Sequence, residues 1–183
     1  MQKRRTYSKE RTSMIGMKNG LRTMDIASLN PDSAKEEQTQ RDIIKNLTRN
    51  KIHIAEIQEP HIIQERDYIL YNYRIVTAAS TKSGKTGAAQ GGPEIMIHES
   101  IQQYITQVTR QSRRVLRVTL DRYKSKMPIH ILPTYAPHNG HTEAERKQQW
   151  EEFKEILNKT CKRHMIICFA DDNGQLGRDK EEK

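Results

Sequence analysis

The sequence predicts an α/β domain in which packed β-sheets carry helices on their outer faces. The chain has 183 residues, which corresponds to one domain and is long enough to bury a core. Its patterns follow the order β-α-β, then several adjacent strands, then α-β, without an internal repeat. Because the mid-chain strands lie between two long helical patterns, a layered arrangement with helices outside is favoured.

The first half of the chain is predicted to form three strands and one helix. The strands are expected at residues 21–29, 51–58 and 73–79, and the helix at residues 35–49. Asp32 or Ser33, which follow Pro31, are the expected caps of the helix. The small, Gly-rich residues 80–92 are expected to form a mobile loop.

The second half repeats this alternation of short strands and a long helix. Strands are expected at residues 94–98, 115–120, 129–135 and 164–170, and a helix at residues 142–160. The helix places Trp150, Phe153, Ile156 and Leu157 at spacings of three and four. The last strand is nearly all apolar, which is typical of a central strand.

Charge is concentrated in two basic segments. The chain has 32 Lys and Arg against 23 Asp and Glu, a net charge of +9 with a pI near 9.6. Seven of the basic residues lie in residues 1–22, and we expect residues 1–20 to be a flexible arm preceding one domain over residues 21–183. The second segment contains Arg110, Arg113, Arg114 and Arg117. It is either a solvated face or the rim of a phosphate-binding groove, and the sequence leaves both open.

Composition excludes several classes of protein. No apolar run is long enough for a transmembrane helix, and no apolar stretch follows the basic start as in a secretory signal. Two cysteines cannot make a disulfide framework. We therefore expect a nuclear or cytoplasmic protein that is not secreted and does not bind membranes.

Two familiar motifs are disfavoured. Residues 84–86 (GKT) suggest a phosphate loop, but that motif needs glycine where Ala79 stands, and no helical pattern follows. A zinc site could be drawn from cysteines and histidines in the last third of the chain: His138, His141, Cys161, His164 and Cys168. Cys168 lies in an apolar strand, however, where a free cysteine normally packs as a small hydrophobe.

Polar side chains follow three of the predicted strands. Asn30 follows the first, Glu59 the second, and Asp171, Asp172 and Asn173 the last. In a layered α/β fold such residues converge on one edge, and oxygen ligands of this kind suit magnesium. Each residue alone is an ordinary turn former. Their joint occurrence in this order favours a site.

These residues resemble the endonuclease/exonuclease/phosphatase superfamily. Within this superfamily, they resemble more specifically the apurinic-type endonuclease domain of non-long-terminal-repeat (non-LTR) retrotransposons of the RTE clade. This resemblance rests on residues 26–30 (IASLN), 54–61 (IAEIQEPH), 91–92 (GG), 114–118 (RVLRV), 135–137 (YAP) and 170–173 (ADDN). The resemblance implies a four-layer α/β sandwich and metal-dependent cleavage of a DNA phosphodiester.

The resemblance also implies a role for each residue. Glu59, assisted by Asn30, would hold Mg²⁺, with Mn²⁺ as an alternative. Asp171 would orient or activate the attacking water, while Asn173 and Tyr135 would hold the phosphate. The four arginines would track the DNA backbone. The partner in the parent element would be a reverse transcriptase domain, which is absent from this chain.

The sequence departs from the family pattern at several positions. Leu29, Pro133, Ala170 and Asp172 replace residues that the family usually has there. No histidine follows His164, so the histidine expected to bond the scissile phosphate is absent from these 183 residues. We therefore expect a C-terminally truncated domain with weak or no cleavage. The alternatives are a non-catalytic nucleic-acid-binding remnant and a phosphatase of the same superfamily.

Overall fold

The computed structural model describes most of the chain. The described residues are 7–13, 23–31, 33–82, 89–90, 92–121, 127–135 and 142–171. Several predictions lie outside them, namely those on Asp32, residues 84–86, His138, His141, Asp172 and Asn173. The side chains of Ala170 and Asp171 are also outside the described part. Among the described residues, no helix is both long and apolar enough to span a membrane.

The first sheet has six strands in the order β1-β2-β3-β8-β5-β4. The strands are β1 Tyr7–Ser13, β2 Thr23–Leu29, β3 Ile54–Ile57, β4 Arg66–Leu70, β5 Tyr73–Thr77 and β8 Glu94–His98. β2 and β3 are parallel, whereas the other pairs are antiparallel. A separate two-stranded hairpin pairs β6 Thr81–Lys82 with β7 Ala89–Gln90.

The second sheet has four strands in the order β12-β11-β10-β9. They are β9 Ile105–Arg110, β10 Leu116–Leu120, β11 Ile129–Tyr135 and β12 Met165–Asp171. β11 and β12 are parallel, and β9, β10 and β11 are antiparallel neighbours. Each sheet is therefore mixed, with one parallel pair among its described strands.

Three helices complete the described part: α1 Glu37–Arg49, α2 Glu99–Gln102 and α3 Glu143–Asn158. Helix α3 begins with a capping box between Thr142 and Glu145, which satisfies backbone N–H groups at its start. The N-cap residue of helix α1 is Glu36, whose side chain makes no capping hydrogen bond, so the expectation that Ser33 caps the helix is wrong. Ser33 Oγ instead accepts a long 3.4 Å bond from the Lys35 N–H, before the helix starts.

The alternation of side chains on the strands builds three apolar layers. Met24 and Ile26 of β2 pack between the sheets against Leu116, Val118 and Ile131 of the second sheet. The opposite face of the first sheet packs on α1 through Ile43, Ile44 and Leu47. The outer face of the second sheet packs on α3, where Ile156 contacts Val115 and Leu132. The result is the expected four-layer α/β sandwich.

The structure differs from the sequence analysis at both ends of the described chain. Tyr7–Ser13, expected in a flexible arm, forms β1 and pairs along the whole of β2 through backbone hydrogen bonds. β12, expected to be central, lies at the edge of its sheet within the described residues. Cys168 is correspondingly exposed, and Met165 is 47% exposed. Within the described residues, β12 pairs with β11 alone.

Candidate functional site

The parallel pair β2 and β3 brings two of the predicted metal ligands to adjacent strand ends. Leu29 is in register with Ile57, and the Gln58 N–H donates to the Leu29 carbonyl at 2.7 Å. Asn30 follows Leu29 in the chain, and Glu59 follows Gln58. The parallel direction therefore carries both residues beyond the same edge of the first sheet.

The backbone around Glu59 is held in an uncommon conformation. Glu59 has φ 46° and His61 has φ 56°, both in the left-handed region, and Pro60 between them is buried. Such residues are costly unless their surroundings fix them, and they are frequent at functional sites. The Glu59 carboxylate Oε2 lies 3.9 Å from His61 Nε2, and the two side chains are 29% and 30% exposed. Both are therefore within reach of a ligand.

The second parallel pair carries Tyr135 and Asp171 to the end of the second sheet. These two residues are in register as the last pair of β11 and β12. Tyr135 is 8% exposed, so its ring is almost entirely covered. The backbone of Asp171 is described, whereas its side chain and all of Asn173 lie outside the described part of the chain.

The two strand-end edges lie on the same side of the sandwich. The Gly92 N–H, just before β8, donates to the Arg113 carbonyl, just before β10, at 3.0 Å. The start of β8 neighbours the end of β3, and the start of β10 neighbours the end of β11. Gly92 has φ +72°, and a Cβ there would lie 2.6 Å from the Ala78 carbonyl oxygen. The close approach of Gly92 to Ala78 therefore requires glycine.

A buried polar cluster that the sequence analysis missed lies between the sheets near this edge. The Ser28 hydroxyl donates to Glu56 Oε2 at 2.6 Å, and the Gln58 amide donates to Ser28 Oγ at 3.0 Å. Glu56 is 1% exposed. The sequence does contain a signal for this cluster, because Glu56 is a charged residue at an inward-facing position of an alternating strand. Such a group is costly to bury unless it is hydrogen-bonded.

A second buried carboxylate lies on the helix-facing side of the first sheet. Glu94 is fully buried and accepts a 2.7 Å hydrogen bond from the Thr77 hydroxyl. Its other oxygen, Oε1, has no partner among the described residues. Burial raises the pKa of Glu94 to about 7, although the Thr77 hydrogen bond and the Arg66 charge act in the opposite direction.

Two of the four predicted DNA-contacting arginines bond to the protein itself. Arg110 donates to the carbonyls of Thr77 and Arg66 at 3.1 and 2.9 Å, which ties β9 to the first sheet. Arg117 donates to the Ile156 carbonyl at 3.3 Å and to the Thr160 hydroxyl at 3.0 Å, at the end of α3. Both guanidinium groups therefore have internal partners.

The other two arginines line a groove beside Tyr135. The groove has a volume of about 460 Å³ and is lined by Ser112, Arg113, Arg114, Glu145, Gln148, Gln149 and Glu152. Arg113 is exposed, whereas the Arg114 guanidinium is partly buried and lies over the Tyr135 ring at 5.6 Å from its centroid. Of the four arginines, these two lie next to a predicted phosphate-holding residue.

A further groove adjoins the Glu59 segment on the other sheet. It has a volume of about 540 Å³ and is lined by Lys35, His61, Ile62, Ile63, Gln64 and Arg66. Among the described residues that line it are two cations, Lys35 and Arg66, and no carboxylate. Basic groups thus occur near the strand-end edge on both sheets.

Within the described residues, no group of three or more His, Cys, Asp or Glu side chains is close enough to hold a metal ion together. The described donors at the edge are Glu59 and Asn30. Their oxygens match the preference of Mg²⁺, which binds through one or two carboxylates and keeps several waters.

Comparison with solved structures identifies the fold. The AP endonuclease LMAP from Leishmania major superposes with a TM-score of 0.61 at 14% identity, covering 80% of this chain and 54% of that chain. An AP endonuclease from Archaeoglobus fulgidus gives 0.54 at 21% identity, covering 81% and 56%. The fold is that of these endonucleases. The endonuclease domain of TRAS1, a telomere-specific non-LTR retrotransposon, gives 0.51 at 16% identity, covering 82% and 59%.

The chain spans somewhat more than half the length of these three structures. No protein-family model matches the sequence, and no curated protein matches it. At these identities the likeness establishes the fold. The individual roles of Asn30, Glu59, Tyr135, Asp171 and Asn173 stay predictions.

Proposed function

We propose that this chain is a metal-dependent DNA endonuclease domain derived from a non-LTR retrotransposon. The observation that supports the proposal is the shared edge of the two parallel strand pairs. The ends of β2 and β3 and the ends of β11 and β12 lie on one side of a sandwich that has an endonuclease fold. The proposed reaction is hydrolysis of one phosphodiester bond of DNA.

In this proposal Glu59 and Asn30 hold a divalent cation, Mg²⁺ or alternatively Mn²⁺. Bound there, the cation supplies polarisation of the phosphoryl oxygen and neutralisation of developing charge. Tyr135 and Asn173 hold the phosphate through a phenol and an amide donor. Asp171 orients the attacking water and accepts its proton.

The bound DNA is proposed to lie along the strand-end edge. Arg113 and the basic groove of Lys35 and Arg66 are suitably exposed for phosphate contacts. Arg110 and Arg117, which bond to carbonyls of the protein, contribute less in this proposal. The proposed biological partner remains a reverse transcriptase domain that extends the freed 3′ end.

A nicking assay on supercoiled plasmid tests this function. With Mg²⁺ the chain is expected to nick the plasmid weakly, through a cation held by Glu59. The Glu59→Ala variant should remove the activity, while Glu65→Ala, an exposed carboxylate outside the site, should retain it. Nicking that persists in Glu59→Ala would contradict the proposed metal ligand.

The same assay separates the two alternatives. Tight DNA binding without nicking above the Glu59→Ala background would support a non-catalytic nucleic-acid-binding protein, which the net charge of +9 also favours. Hydrolysis of p-nitrophenyl phosphate without plasmid nicking would support a phosphatase. We expect no hydrolysis of this small substrate.

A further inference from the structure

The Arg114 side chain is fixed against Tyr135 by both backbone and ring contacts. The Tyr135 N–H donates to the Arg114 carbonyl at 2.9 Å, and Val115 forms a β-bridge with Thr134 beside it. The guanidinium carbon lies 5.6 Å from the centroid of the Tyr135 ring. This distance is within the range of a cation–π interaction. The cation therefore faces the ring whose phenol is proposed to hold the phosphate.

Helix α3 supplies a residue that holds this guanidinium from its other side. With its amide oxygen turned towards Arg114, Gln149 accepts from Nε at 3.1 Å and from Nη2 at 2.8 Å. The helix is fixed at its start by the Thr142 and Glu145 capping box, one to two turns before Gln149. Gln149 is itself half-buried. The guanidinium is thus bonded to α3 while it lies over β11.

The ionisable groups around the Arg114 guanidinium determine its charge and its effect on the Tyr135 phenol. Burial lowers the pKa of Arg114, whereas Tyr135 and the carboxylates of Glu152 and Glu145 favour its charged form. Because the group is a strong base, it stays protonated. Held over the ring, the Arg114 cation favours the charged form of the Tyr135 phenol. It also offsets the effect of the nearby carboxylates, which disfavour that charged form.

We propose that Gln149 is a positioning residue, which holds the Arg114 cation on the face of Tyr135 and so fixes the phenol at the strand-end edge. That the Tyr135 phenol holds a phosphate rests on the proposed function. The contacts of Arg114 with Gln149 and with the Tyr135 ring do not depend on it. In this arrangement Arg114 acts on Tyr135 and is not primarily a contact to the DNA backbone.

The proposal is tested by the titration of the Tyr135 phenol in the full chain. The protein is labelled with [13Cζ]tyrosine, and the Tyr135 signal is assigned by its loss in Tyr135→Phe. The compared variants are Gln149→Met, Arg114→Met, the double variant, and Gln148→Met. Gln148 is the matched control because it lines the same groove from the adjacent position of α3. Far-UV circular dichroism at each pH confirms that every variant is folded.

Arg114→Met is expected to raise the phenol titration midpoint, because it removes an opposite charge near the phenolate. Gln149→Met should raise it in the same direction, and the double variant should match Arg114→Met, since Gln149 acts through the arginine. Gln148→Met should leave it unchanged. If Gln149→Met fails to fold, Gln149→Ala serves in its place.

An unchanged midpoint in Gln149→Met overturns the proposal, as does a shift that persists in full on the Arg114→Met background. A loss of thermal stability without a shift would identify Gln149 as merely structural. The measurement uses neither DNA nor metal. A failure of the proposed nuclease function therefore leaves it unaffected, and its own failure leaves the nicking experiment unaffected.

Discussion

At the scale of single residues, Glu94 combines complete burial with a carboxylate oxygen that has no hydrogen-bond partner among the described residues. Its backbone neighbours are Ile57 of β3 and Thr77 of β5, so it is enclosed on both sides in the sheet. Burial penalises the charged form, and the single hydroxyl of Thr77 does not offset that penalty. Glu94 is therefore protonated at pH values well above the ordinary pKa of a glutamic acid.

This burial predicts a specific dependence of stability on pH. The pKa of Glu94 is about 7 in the folded chain against an ordinary value of 4.5, so the folded state binds more protons between these values. The stability that Glu94 contributes is complete below pH 4.5 and is lost as the pH rises through 7. The loss should be on the order of 3 kcal/mol. In urea unfolding, Glu94→Gln should flatten this slope, whereas the exposed Glu99→Gln should retain it.

His130 predicts an opposite dependence at lower pH. It is 7% exposed, its Nδ1 lies 3.0 Å from the Thr119 hydroxyl, and its Nε2 lies 2.8 Å from His164 Nδ1. Burial, then the charge of Arg117, then His164 lower the pKa of His130 below 6.5. Its contribution to stability is therefore complete above pH 6.5 and is lost as the pH falls through the lowered pKa.

The measurement is the free energy of unfolding at pH 7.5, 6.5 and 5.5. His130→Gln should flatten the decrease below pH 6.5 because it removes the group that takes up the proton on unfolding. His98→Gln, on the other sheet, controls for the loss of a partly buried histidine. An equal slope in His130→Gln and the unmodified chain would contradict the prediction.

The candidate site could be anticipated from sequence only where a residue follows a strand. Asn30 and Glu59 were identified because each ends an apolar pattern, and the parallel register then carries them to one edge. The bonds of Arg110 and Arg117 to carbonyls of distant elements could not be anticipated, because sequence charge does not specify a guanidinium's partners. The same holds for Gln149, whose significance depends on where α3 lies against β11.

At the scale of elements, the two long helices differ in how they start. Helix α3 has a complete capping box, in which the Glu145 N–H donates to Thr142 Oγ1 at 3.3 Å and the Thr142 N–H donates to Glu145 at 2.8 Å. Helix α1 has no side-chain cap, and its N-terminal segment is instead held by the Ala34 N–H bonded to the Pro60 carbonyl at 3.1 Å. A tertiary contact thus replaces the local signal in α1.

This difference predicts unequal costs for two similar substitutions. Thr142→Ala should lower the free energy of unfolding by about 1 kcal/mol, because it leaves a backbone N–H of α3 without its side-chain acceptor. Ser33→Ala should change it by less than about 0.5 kcal/mol, because Ser33 does not cap α1. Urea denaturation measures both. A larger loss in Ser33→Ala than in Thr142→Ala would contradict the assignment of the caps.

Strong periodicity made most elements predictable, and weak periodicity explains the omissions. Glu94–His98 and Ile129–Tyr135 were predicted at their observed bounds, and α1 and α3 within a few residues. β4 and β9 were missed because their side chains are either partly buried or exposed, which gives little apolar contrast. β1 was missed because its residues are polar and its pairing depends on the exposed backbone of β2.

At the scale of the whole molecule, the position of β1 changes how the basic N-terminal segment can be tested. Removal of residues 1–22 would also remove an edge strand that pairs with all of β2. Lys3, Arg4 and Arg5 precede β1 in the sequence, so their charge can be removed without deleting the strand. Their replacement by glutamine reduces the net charge from +9 to +6.

The matched control removes three charges far from the strand-end edge. Lys45 of α1, Lys154 of α3 and Lys159, the C-cap residue of α3, are exposed, at 68%, 67% and 71%. Each pairs with a carboxylate of the same helix. Replacement of these three by glutamine gives the same net charge of +6. The two triple variants therefore differ in where charge is lost and not in how much.

If the basic segment contacts DNA, the first variant alone should bind with a weaker dependence on salt. Each phosphate contact that is lost reduces the slope of log K against log salt by about 0.9, so the slope should decrease by roughly 1 to 3. The control should keep the slope of the unmodified chain within about 0.5. Fluorescence anisotropy with a labelled duplex between 50 and 200 mM salt, a range of about fourfold, measures both slopes. Equal reductions in the two variants would show that net charge, and not a local contact by Lys3, Arg4 and Arg5, governs binding.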